Sequence, residues 1–172
     1  LEMFGFPYAT GDDVRSSPAV ADLDKNNSLE LIIGSHDGSL HILSGFGQQL
    51  ATHQVNGSIN GSPAAVDLDQ DGDLEVVFTS YNGGTGDVHA IHHNGSTFYG
   101  FPVYLNEKMV GGAAAGDLDG DGYPEIVVCT DDDNVYAIKK DGSIMNGFPF
   151  TSTDRFFNAP TLVDLDGDSD LE

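Results

Sequence analysis

Ser62-Pro63-Ala64-Ala65-Val66-Asp67-Leu68-Asp69-Gln70-Asp71-Gly72-Asp73-Leu74-Glu75 joins a short run of small and apolar residues to carboxylates at every second position, and it recurs along the chain. Related blocks are Ser17-Pro18-Ala19-Val20-Ala21-Asp22-Leu23-Asp24, Ala113-Ala114-Ala115-Gly116-Asp117-Leu118-Asp119 and Ala159-Pro160-Thr161-Leu162-Val163-Asp164-Leu165-Asp166. The first aspartates stand at 22, 67, 117 and 164, which gives periods of 45, 50 and 47 residues. A second marker keeps the same register: Gly-Phe-Pro ends at Pro7, Pro102 and Pro149, each 15 residues before the next first aspartate. It is missing only at Leu50-Ala51-Thr52. Self-similarity at such a period is the mark of stacked structural repeats.

Each period reads as four short strands. In the first, Ala19 to Leu23 is a small-residue strand and Leu29 to Gly34 a continuously apolar one; the Asp37-Gly38 turn leads to Leu40-His41-Ile42-Leu43, and a weaker strand covers Gln49 to Val55. Later periods repeat the middle pair at Glu75 to Thr79 with Val88 to His92, and at Glu125 to Cys129 with Val135 to Lys139. Asp141-Gly142 is a further hairpin signal. Four strands per 40 to 50 residues predict an all-β chain, a β-propeller of four-stranded blades. The expected division is 1-16 for the last strand of a preceding blade and its linker, 17-61, 62-111 and 112-158 for three blades, and 159-172 for the start of another. About three and a half blades make an incomplete ring, since propellers close at four to eight. The expectation is a segment whose ring is completed by the rest of the propeller from the same longer chain.

Composition narrows the partners. Of the 172 residues 28 are Asp or Glu and 6 are Lys or Arg, a formal net charge of −22 with a pI near 4.1. The basic residues (Arg15, Lys25, Lys108, Lys139, Lys140, Arg155) form no stripe, which argues against nucleic acid and anionic membranes. No apolar run reaches the roughly 20 residues of a membrane-spanning helix. The single cysteine, Cys129, makes no intrachain disulfide and falls in a strand expected to be buried, where it reads as a core residue.

The first strand of every block runs into a nine-residue loop with oxygen-bearing residues at odd positions. These are Asp22, Asp24, Asn26, Ser28 and Glu30; Asp67, Asp69, Asp71, Asp73 and Glu75; Asp117, Asp119, Asp121, Tyr123 and Glu125; and Asp164, Asp166, Asp168, Asp170 and Glu172. Carboxylates so crowded repel one another unless a hard cation lies among them. Ca²⁺ suits best, because it accepts six to eight oxygens in flexible geometry where Mg²⁺ demands a tight octahedron. Position seven varies too widely to donate a side chain, so its backbone carbonyl is the expected ligand. Position six needs a left-handed backbone, given by Gly72 and Gly122, tolerated by Asn27 and suited less by Ser169. An EF-hand requires a Glu at position twelve and a helix after it, whereas Ile33, Phe78 and Val128 stand there within apolar strands. Four filled sites would move the formal charge from −22 to −14.

The Ser-Pro-Ala-x-x-Asp-x-Asp-x-Asp/Asn-x-x-x-Glu block, with its apolar strand, Asp-Gly turn and Gly-Phe-Pro, resembles the FG-GAP/VCBS-type repeats of integrin α-subunit propellers and of many secreted bacterial proteins. The resemblance spans essentially the whole chain. It implies calcium at the four loops, a seven-bladed or similar propeller, and an extracellular setting. Departures are Asn27, Ser169, Gly112-Ala113 in place of a proline, and the lost Gly-Phe-Pro of the first blade.

Chain direction separates two faces. If strand one ends in the acidic loop, the turns between strands two and three and the linkers between blades lie on the opposite face, where a protein or glycan ligand is expected. There fall Asn82-Gly83-Gly84-Thr85-Gly86, read as an insertion, Asp131-Asp132-Asp133, Glu107-Lys108-Met109-Val110 and Arg155-Phe156-Phe157. Met109 and Phe156-Phe157 are either contact tips for that ligand or wedges between blades. Histidines at 36, 41, 53, 89, 92 and 93 raise zinc or catalysis, but His41 and His89 occupy the repeat position that Tyr136 fills, which marks an ordinary strand site. Gly-Phe-Pro reads as packing, with the Phe filling a gap between blades and the Gly permitting close approach. No Gly-x-Ser-x-Gly elbow or phosphate loop is present, so an enzyme is not expected. The favoured reading is an extracellular, calcium-stabilised adhesion or protein-interaction scaffold within a larger secreted or surface protein. A lectin-like propeller and the non-catalytic part of a polysaccharide lyase are the alternatives.

Overall fold

Alternating short apolar runs and turn residues give twelve strands in the computed structural model, which describes residues 4–164 and 171. The first sheet holds β1 (Ala19–Ala21), β2 (Glu30–Gly34), β3 (Ser39–Ser44) and β4 (Gln49–Gln54). The second holds β5 (Ala64–Val66), β6 (Glu75–Asn82), β7 (Thr85–Ile91) and β8 (Val103–Glu107), and the third β9 (Ala114–Gly116), β10 (Glu125–Cys129), β11 (Asn134–Ile138) and β12 (Phe150–Thr151). Each sheet is antiparallel with its strands side by side in chain order. That is the propeller blade plan, repeated three times, with no helix among the described residues.

Residue size decides where each strand goes. The leading strands are Ala19-Val20-Ala21, Ala64-Ala65-Val66 and Ala114-Ala115-Gly116, and β5 neighbours both β1 and β9. Small side chains allow three blades to converge there. The second strands are the most apolar because a blade is covered on both faces, and all five residues of β10 are buried.

The core lies between blades rather than within them. Leu23, Ile32, Leu40, Ile42 and Ile59 of the first blade and its linker meet Val76, Phe78 and Ile91 of the second. Leu68, Val77, Val88, Phe98, Phe101 and Met109 meet Ile126, Val128, Tyr136 and Ile138 of the third. Met109 is therefore a wedge, 1% exposed, and not a contact tip. Phe157 stays 60% exposed, while Phe156 lines an apolar cavity of about 700 Å³ with Val127, Cys129 and Leu162. Cys129 is buried, and burial pushes its thiol pKa up, as an inert core residue requires.

The stretch from Asn82 to Gly86 is the tip of a regular hairpin, since β6 and β7 stay paired to Asn82↔Thr85. In Gly-Phe-Pro, Phe101 packs in the second seam, and a Cβ on Gly100 would stand 2.3 Å from the Asp141 carbonyl oxygen in the next blade's turn. The Phe6-Pro7, Phe101-Pro102 and Phe148-Pro149 peptides are all cis, which composition does not reveal.

Blades are also tied by hydrogen bonds. Thr79 Oγ1, buried in β6, donates to the Gly111 carbonyl at 2.6 Å, joining the second blade to the linker before the third. Thr79→Val keeps the shape and orphans that carbonyl, so we expect a loss of about 1–2 kcal/mol. Urea denaturation checks it: the midpoint should fall with the slope unchanged.

Candidate metal centre

The acidic loop is built by its own short hydrogen bonds, repeated from blade to blade. The position-three carboxylate accepts the amide of position five: Asp24 from Asn26, Asp69 from Asp71 and Asp119 from Asp121, each at 3.2 Å. Position five accepts the amide of position seven: Asn26 from Ser28 at 2.8 Å, Asp71 from Asp73 at 2.9 Å and Asp121 from Tyr123 at 2.9 Å. These are side-chain turns of the kind Asp and Asn favour. Position six is left-handed as expected, with φ of 67° at Asn27, 105° at Gly72 and 92° at Gly122. Position four is left-handed too, at Lys25, Gln70 and Gly120, which the sequence reading did not foresee. Two successive reversals curl the loop so that its carboxylates face inward.

Two further residues anchor that curl. The leucine at position two enters the seam between blades, with Leu23 at 1% and Leu68 at 0% exposure. Its amide donates to the position-nine glutamate: Leu23 to Glu30 at 2.9 Å, Leu68 to Glu75 at 3.0 Å and Leu118 to Glu125 at 2.9 Å. Those glutamates are almost wholly buried, and desolvation pushes the pKa values of Glu75 and Glu125 up. One oxygen of each closes the loop and the other faces the cluster or a neighbour. The repeat spacing shows a carboxylate at position nine; that half of it acts as a backbone acceptor is visible only in the fold.

Among the described residues three groups of carboxylates converge closely enough to hold a metal ion: Asp22, Asp24 and Glu30; Asp67, Asp69 and Asp71; and Asp117, Asp119 and Glu125. Glu75 is outside the second group because its Oε1 faces His92 Nδ1 at 3.1 Å. Asp73 points to His93, 3.3 Å away, leaving its carbonyl as the group that can serve the loop. Asp121 lines the third loop without joining its triad, and Asn26, Ser28 and Tyr123 complete the chain of side-chain turns in theirs. Of the fourth loop's oxygen-bearing residues only Asp164 is described; Asp166, Asp168, Asp170 and Glu172 lie outside the described residues.

Whether a cation fits is tested by the first carboxylate. Asp22 Oδ1 and Asp67 Oδ1 are buried and accept no hydrogen bond. A buried, unpartnered carboxylate oxygen costs several kcal/mol unless a cation compensates it. Residues at position four then link successive loops: Lys25 Nζ lies 4.0 Å from Asp67 Oδ2, and Gln70 Nε2 donates to the Gly122 carbonyl.

Ser80 Oγ and His89 Nε2 lie 2.9 Å apart, a contact a hydrolase would also use. Both are buried, at 2% and 7% exposure, and the imidazole stacks on Phe78 at 4.9 Å. The pair is a seam contact with no room for substrate. His41 and Tyr136 hold the same register, each opposite β2 or β10, and each takes a partner from the chain that precedes its own blade: Tyr8 for His41, Glu107 of β8 for Tyr136.

The fold and its loops define a β-propeller whose blades each carry an acidic loop between their first two strands. The chain belongs to the FG-GAP-like repeat family, whose model matches residues 67–128 and 117–172. Among solved structures it is similar to the crystal structure of BBS1N in complex with ARL6DN, soaked with mercury, at 12% identity and a TM-score of 0.54. The match covers 78% of this chain and 44% of that one, so the chain spans less than half of that relative's length. None of the curated proteins matches it in sequence.

Proposed function

We propose that the chain is a calcium-stabilised propeller module that serves as a protein-interaction scaffold in an extracellular setting. The observation that carries the calcium half is the buried, unpartnered oxygen of Asp22 and of Asp67, in the same loop position of successive blades. Asp22, Asp24 and Glu30 would hold one ion, and Asp67, Asp69 and Asp71 another, with the carbonyls of Ser28 and Asp73 completing the shell. Bound calcium would neutralise each loop and fix the turn between the first two strands. Oxygen loops of this kind sit toward the weak end of calcium affinity, which suits the millimolar calcium outside cells.

The interaction half is supported by the other face. There Arg15, His36, Asp37, Tyr81, Asn82 and Val110 line an open cavity of about 620 Å³, away from the acidic loops. With its net charge of −22 the module favours a partner with basic surface.

Calorimetric titration tests the metal half. Calcium should bind with Kd of about 10⁻⁴ to 10⁻³ M and magnesium more weakly. Asp67→Asn should remove one site. Equal binding of the two cations, or full stoichiometry in the variant, overturns the assignment. Screening against matrix-protein and glycan arrays, with Tyr81→Ala beside the unaltered protein, tests the face. A ligand lost in the variant supports it, and a ligand indifferent to the change removes it.

A further inference from the structure

The three described loops share a backbone plan but not a charge plan, and the difference lies in the residue that strand three places opposite the position-nine glutamate. Glu30 faces Ser44 across the β2 and β3 pairing. Glu75 has His92 and Glu125 has Lys139 at the corresponding place, one residue beyond the Val76↔Ile91 and Ile126↔Ile138 pairs. Lys139 reaches into the third loop. Its ammonium lies 2.5 Å from Asp119 Oδ2, 3.5 Å from Asp121 Oδ2 and 3.8 Å from Glu125 Oε1. Those are the carboxylates of positions three, five and nine.

The remaining carboxylate of the third loop is satisfied as well. Asp117 Oδ1 accepts the Gly120 amide at 2.8 Å, and Oδ2 accepts the Gly122 amide at 2.8 Å. Its counterparts Asp22 and Asp67 each keep one buried oxygen without a partner. The first loop is therefore left open toward a cation, the second meets an ammonium at one carboxylate only, with Lys25 Nζ 4.0 Å from Asp67 Oδ2, and the third is closed by its own amides and by an ammonium tethered among three carboxylates.

We propose that Lys139 is a built-in cation of the third loop, holding it folded without metal and making it much the weakest of the three described loops for a divalent ion. The inference rests on the reading of the first two loops as cation sites. Its physical basis is the repulsion between the ammonium and an incoming ion. A unit charge about 4 Å from a divalent cation, even at the dielectric of water, works against binding by roughly 30-fold. The blades would then divide the work: two junctions respond to ambient calcium and one does not.

Tyr123, at position seven, gives the third loop its own reporter, since the matching residues Ser28 and Asp73 absorb no near-ultraviolet light. Terbium is the probe, with its luminescence excited through tyrosine, and calcium calorimetry runs in parallel. The intact protein should show calcium sites by calorimetry with little terbium emission that depends on Tyr123. Lys139→Gln should bring emission that Tyr123→Phe abolishes, with terbium bound at least about tenfold more tightly than before. Calcium binding at the first two loops should be unchanged. Strong emission dependent on Tyr123 in the intact protein, or none gained in Lys139→Gln while the other loops still bind calcium, overturns the role of Lys139 and leaves those loops standing. No calcium bound in either protein overturns the cation reading and this inference together.

Discussion

Removing calcium from a sample that holds it at a hundred times Kd is expected to lower the melting temperature of this protein by about 10–20 °C. At a hundred times Kd each filled site adds about 2.7 kcal/mol, so the first two loops together contribute about 5 kcal/mol, and each kcal/mol shifts a domain of this size by about 2–4 °C. The effect is expected to be global because the loops are not appendages. Leu23 and Leu68 sit between the first two carboxylates of their loops and are buried in the seams between blades. A loop sprung open by unshielded carboxylates would carry its leucine with it. Melts in calcium, in magnesium and in excess chelator, followed by circular dichroism, check this. A chelated sample that stays folded and melts at the same temperature shows that the loops hold themselves, and calcium is then not structural.

The fold was legible because its signal is repetition. Four copies of Asp-x-Asp, and three of Gly-Phe-Pro at a constant offset of 15 residues, fix the blade register before any strand is assigned. The strand limits then moved by only a residue or two, except at Asn82 to Gly86. There the sequence reads as an insertion, and the pairing of β6 with β7 runs straight to the turn. The acidic loops were legible in their carboxylates and not in their supports. Leu23, Leu68 and the half-engaged glutamates depend on what lies across a seam, and periodicity along one chain does not report contacts between its periods. Lys139 was visible only as a scattered basic residue, because its meaning comes from cross-strand register.

Acid is expected to weaken the protein at the seam between the first and second blades, through His89. The imidazole is packed against Phe78 at 4.9 Å, its Nε2 is 2.9 Å from Ser80 Oγ, and His53 of the first blade lies 6.3 Å away. Burial first, and the neighbouring His53 second, push its pKa down from 6.5 to about 4. The unfolded chain therefore takes up a proton near pH 6.5 that the folded chain refuses until about pH 4, and stability falls as the pH drops through that window. The full difference is worth about 3 kcal/mol, of which about 2 should be gone by pH 5. Other groups titrate in the same range, so the comparison must be with a variant. His89→Phe preserves the stacking area and removes the proton site; it should lose about 2 kcal/mol less than the intact protein between pH 7 and pH 5. Urea unfolding at both pH values measures this, and parallel losses in the two proteins would show that His89 is either already charged in the seam or free to reach water. The repeat explains why the site is tolerated. Tyr136 holds the same place in the third blade with Glu107 as its partner, so this position asks for a flat, hydrogen-bonding ring. Tyrosine meets that demand without titrating near neutral pH, whereas histidine ties the cohesion of this one seam to its proton.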